Sequence, residues 1–117
     1  MNKKIKFDNA QEMGRQYPET FEAPLLSDLQ NLQPGDYVQV SAFNERFWTE
    51  ILDISGTTVT ARIDNLLLTD KLRQNEIIAY DLDNVYKILT KAYMEKMRAI
   101  TANLRIVAAK RNKGRGL

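Results

Sequence analysis

The 117-residue chain contains no cysteine and no histidine, and it has one tryptophan, three prolines and five glycines. Without cysteine there is no disulfide, no thiolate nucleophile and no cysteine-based metal site, and nothing argues for an oxidising compartment. Without histidine the usual general base near neutral pH and the commonest metal ligand are both missing. The few glycines form no phosphate-cradling pattern. Ser27, Ser41 and Ser55 have neither a histidine partner nor a nucleophile elbow. No apolar stretch approaches the ~20 residues that span a bilayer, and the lysines at the start are not followed by the apolar run of a signal peptide. These absences predict a soluble, cytoplasmic, non-enzymatic protein with no cofactor, no metal site and no membrane partner.

What the chain does have is charge sorted along its length. Residues 1–6 carry three lysines, residues 7–86 carry five basic against fourteen acidic groups, and residues 87–117 carry nine basic against one acidic. The formal net charge of +2 therefore hides segments of +3, −9 and +8. Polarisation of this kind speaks to partners more than to fold. At 44% hydrophobic, the chain has material for one modest core.

Residues 1–33 read as an N-terminal segment packing on that core. Asn9 is placed to cap a helix over residues 9–17, with Glu12 three residues on, able to reach back to the cap amide. Pro18 ends it. A helical turn over residues 27–32 lets Leu25, Leu26, Leu29 and Leu32 seal one end of the core. Residues 34–89 carry period-two alternation. Pro34-Gly35-Asp36 is a turn, followed by a strand over 37–42, a reversal at Asn44-Glu45, a long strand over 46–54, a tight turn at Ser55-Gly56 and a strand over 57–65. Two short strands, 76–80 and 85–88, complete the set. Five short strands with tight turns predict an α+β protein built on a small five-stranded antiparallel β-barrel, because closure removes exposed strand edges.

From residue 90 the period changes. Leu89, Tyr93, Met97, Ile100, Leu104 and Val107 recur at steps of three and four, one stripe of a long amphipathic helix over 90–111 with a flexible basic tail over 112–117. Lys91, Arg98 and Arg105 fall close together on the face nearly opposite that stripe, successive charges ~10 Å apart along the axis. With Lys110, Arg111, Lys113 and Arg115 they form a candidate nucleic-acid-binding surface, each neutralised phosphate adding salt-dependent affinity. An acidic protein surface, the chain's own acidic half included, or plain solvent are the other occupants open to that face.

Arg46-Phe47-Trp48 is the second feature. Phe47 and Trp48 point to opposite faces of one strand, so one is core and the other is covered or exposed. An aromatic surface made by Tyr37, Phe47, Trp48 and Tyr80 suits base stacking or gripping a ligand. The many carboxylates read as a solvated acidic face, since none makes a calcium-loop spacing.

The run from Leu32 to Ile88, with Pro34-Gly35-Asp36 before Tyr37-Val38-Gln39-Val40, then Arg46-Phe47-Trp48, Gly56 and Ile63-Asp64-Asn65-Leu66, resembles Src-homology-three-like (SH3-like) small barrels, including KOW and Tudor-type modules. It is also similar to uncharacterised small proteins of bacterial phages and plasmids that share an Arg-Phe-Trp strand. The resemblance implies a barrel that binds proteins or nucleic acids and does not catalyse; the basic helix lies outside it. Two functions follow as expectations: nucleic-acid contact through the helix and tail, or engagement of a host protein complex through the acidic barrel, with a homo-oligomer as a further possibility.

Overall fold

The computed structural model describes residues 5–115, with side chains through Leu104. Its order is α1 (Ala10–Gln16), α2 (Leu26–Gln30), β1 (Tyr37–Ala42), β2 (Glu45–Ser55), β3 (Thr58–Ile63), β4 (Ile77–Asp81), a 3-10 turn (Leu82–Asn84), β5 (Lys87–Leu89) and α3 (Lys91–Arg115). The strands form one antiparallel sheet in the order β4-β3-β2-β1-β5. Alternation dictates the core: Val38, Val40 and Ala42 of β1, Phe47, Thr49 and Ile51 of β2, and Val59, Ala61 and Ile63 of β3 all point inward and are buried.

The sheet does not close into the expected barrel. β4 and β5 are its two edges, and the chain between them is taken up by the 3-10 turn, whose Asp81 and Asn84 side chains cap each other's backbone. Side chains fill the opening instead of strand pairing. Phe7 bridges to Ala42 and sets its ring edge-on to Tyr80 at 5.5 Å, while Val85, Leu72 and Leu29 are buried in the same cluster. Of the four leucines expected to seal the core, Leu29 and Leu32 do so and Leu25 and Leu26 face solvent. Five residues make barely more than one turn, which can bury only one side of α2.

Other local details follow the residues. Asn9 accepts from the Glu12 amide, but the Glu12 carboxylate turns forward to Arg15 at 2.6 Å and does not reach back to the cap. The first hairpin turns at Phe43-Asn44, one residue earlier than expected, with positive φ at both positions. That is the backbone a two-residue hairpin requires, and it is an unusual place for a phenylalanine. A bulge between Ile51 and Asp53 leaves Leu52 outside the core. α3 runs past the expected end near residue 111 and takes in residues 112–115 as helix; Gly116 and Leu117 lie outside the described residues.

Candidate nucleic-acid interface

The basic helix is built outward from a buried carboxylate. Asp36, the last residue of the Pro-Gly-Asp turn, is only 2% exposed. Its Oδ2 accepts from the Gln33 amide at 2.9 Å and its Oδ1 accepts from the Lys91 amide at 2.8 Å. One side chain thus closes the turn before β1 and satisfies an orphan donor at the start of α3, with its negative charge at the positive end of the helix dipole. Thr90 adds a second cap, its Oγ1 accepting from the Tyr93 amide at 3.1 Å. The Lys91 stem lies over Gly35, whose φ of 95° is glycine's territory and where a Cβ would stand 2.9 Å from Lys91 Cδ. The helix root is therefore fixed to the sheet.

Beyond the root, no described side chain holds α3 down. From Lys91 to Leu104 every residue but Met94 is exposed. The apolar stripe of the helix is open at Tyr93, Met97, Ile100 and Leu104. The fixed root aims the helix away from the core, and the core's open end is already occupied by Leu29 and Leu32. Lys91 and Arg98 are exposed, seven residues apart on one face, with Glu95 the one acid on the helix. The backbone of α3 carries Arg105, Lys110, Arg111, Lys113 and Arg115 in the same helix; their side chains lie outside the described residues.

The four-residue aromatic surface is not assembled. Phe47 and Tyr80 are core, with the Tyr80 hydroxyl 2.7 Å from Thr49 Oγ1. Burial pushes the Tyr80 phenol above the ordinary tyrosine range. Tyr37 and Trp48 are on the opposite face of the sheet, both partly exposed. Trp48 lines an open groove of about 450 Å³ with Pro24, Leu25, Asp28, Ile88 and Leu89. The outer face has a different aromatic cluster, in which the Arg46 guanidinium lies 4.9 Å from the Tyr86 ring and 5.9 Å from the Phe21 ring, and the two rings meet edge-to-face at 5.2 Å. Phe21 comes from the extended segment after Pro18, and no periodicity in the sequence announces its partner.

The acidic half is less free than a solvated face would be. Glu45 accepts from the Leu68 and Thr69 amides at 2.8 and 3.0 Å, Asp8 accepts from the Ser41 hydroxyl at 2.6 Å, and Asp81 caps the 3-10 turn. Glu50 and Asp64 flank Arg62, at 2.6 and 3.7 Å, and the Glu50 hydrogen bond pushes the guanidinium's pKa further up. Pinned by Glu45, the β3–β4 loop displays Leu66 and Leu68, the latter 98% exposed. Among the described residues no group of carboxylates could hold a metal ion, and no helix is long and apolar enough to cross a membrane.

Fold and surface together define a class: a small antiparallel sheet carrying a projecting basic helix. No protein-family model, no curated protein and no solved structure matches the chain.

Proposed function

We propose that the chain is a non-enzymatic binding protein, of bacterial phage or plasmid type, that contacts nucleic acid through α3 while an SH3-like sheet serves as its mount. The observation that carries this reading is the freedom of the cationic face. Lys91 and Arg98 stand open on a helix whose described side chains pack on no other element, with Glu95 the one carboxylate that shares their face, so most of the row is left to an outside anion. The Pro-Gly-Asp turn opening β1 and the run of short antiparallel strands support the SH3-like assignment of the mount. Binding of DNA and RNA oligonucleotides across a salt series tests the proposal. Affinity falls as salt rises, and replacing Arg98, Arg105, Lys110 and Arg111 with Gln lowers both the affinity and the salt slope, by about one unit of slope per lost phosphate contact. Absence of binding at low salt, or no change in the Gln variant, rejects it.

A second reading is favoured by Leu66 and Leu68. Two exposed leucines on a loop whose backbone amides are held by Glu45 are a pre-ordered apolar contact within an acidic domain, suited to a host protein complex. Capture of the same partners from a bacterial lysate by wild type and by the Leu66→Ser, Leu68→Ser variant would remove this alternative.

A further inference from the structure

Most helical stability in proteins comes from packing an amphipathic face, and the described side chains of α3 gain almost nothing from its own sheet. Its apolar side chains remain open, with exposures of 49% at Tyr93, 39% at Met97, 41% at Ile100 and 65% at Leu104. Continued in the sequence to Val107, their spacing of four, three, four and three residues averages to the 3.5-residue repeat of a coiled-coil seam, which another helix fills. The positions flanking that seam are Met94, Lys96, Thr101 and Asn103, with a single charge among them. The helix's own sheet cannot be the occupant, because Asp36 and the Lys91 stem over Gly35 fix the root and aim the helix outward.

We infer that the occupant is α3 of a second copy, running antiparallel to the first. Charge selects both the partner and the direction. Residues 105–115 carry five basic groups and no acid, whereas residues 7–86 carry fourteen acids against five bases. Two antiparallel helices related by a two-fold axis bring the basic end of each to the acidic sheet at the root of the other. A parallel pair would instead set two acidic sheets side by side and two basic ends together. Carboxylates are available at the root: Asp28 shares a groove with Leu89, and Asp53 is two residues beyond Ile51, whose carbonyl accepts from Gly35. In this pair Ile100 packs against Leu104 of the partner subunit, with the symmetry axis near residue 102. A seam of this length buries on the order of 1,000 Å² in total, the low end for a specific interface, so the pair is reversible at roughly micromolar concentration. The inference does not depend on nucleic-acid binding; Lys91 and Arg98 lie on the side of the helix away from the seam and stay open in the dimer.

Sedimentation equilibrium of the full chain, over about 5 to 200 µM to bracket that range, shows a monomer–dimer equilibrium that persists in high salt. Ile100→Asp combined with Leu104→Asp raises the dissociation constant at least ~100-fold, because it places charges in the seam, while Ala102→Gln on the opposite face leaves it unchanged. The chain has no cysteine, so one substitution gives one thiol. A short bismaleimide links Ile100→Cys across the axis, but not Tyr93→Cys, whose copies are ~27 Å apart along an antiparallel pair. A monomer at every concentration overturns the inference. A dimer that survives the double Asp variant, or that dissolves in salt, puts the helix on the partner's sheet and overturns it too. Linkage of Tyr93→Cys as efficient as that of Ile100→Cys would make the pair parallel and overturn the assigned direction.

Discussion

Asp36 joins two amides that are fifty-eight positions apart in the chain, those of Gln33 and Lys91, and it does so while almost fully buried. Asp36→Ala leaves both donors without their charged acceptor, and urea denaturation is expected to show a loss of about 2–4 kcal/mol. Gly35→Ala next to it costs about 1–2 kcal/mol, from the left-handed backbone and the contact with Lys91. Tyr80 sets a limit at the alkaline end. Burial favours its neutral phenol, so the folded chain keeps a proton that the unfolded chain releases above about pH 10. The stability from Tyr80 is therefore complete below that pH and declines as pH rises beyond it. Denaturation midpoints measured between about pH 8 and 11 should fall for wild type and fall less steeply for Tyr80→Phe, which loses about 1 kcal/mol at neutral pH with the Thr49 hydrogen bond. That Phe47 and Trp48 face opposite ways could be read from adjacency on a strand, whereas Asp36 as a helix cap could not, because its partner lies in another element.

At the scale of elements, alternation of apolar and polar residues locates all five strands to within two residues at each end, since each strand has one buried face. Turn chemistry is less legible where the structure opposes preference. Phe43 occupies a left-handed position next to an asparagine that suits it better, and the first hairpin accordingly slips by one residue from its expected turn. Closure was not legible, since strand count says nothing about whether edges meet, and here the opening is stoppered by Phe7 and Val85. Periodicity revealed the apolar stripe of α3 but not its vacancy, because a 3.5-residue spacing specifies a partner without naming it. A helix with no packing also contributes little to the fold. At concentrations too low for two copies to pair, deleting residues 96–117 is expected to leave the unfolding free energy of the sheet within about 0.5 kcal/mol of wild type, as measured by the Tyr and Trp signals in urea.

Taken whole, the molecule is elongated, with extents of 60 × 33 × 27 Å and a Cα radius of gyration of 17.9 Å. A compact chain of this length would have a radius near ~13 Å. Small-angle scattering in the dilute limit is expected to return a value close to the larger figure at both low and high salt; a drop toward the smaller one at low salt would mean that the basic helix folds back on the acidic sheet. The charge division is therefore also a division in space, with most carboxylates on the sheet and the cations on an arm roughly 37 Å long. Because that arm is rooted through the same carboxylate that opens the first strand, its first turn leaves the sheet in a set direction and not from a loose hinge. A partner therefore meets the row of charges at an angle set at the root, and is selected by geometry as well as by sign.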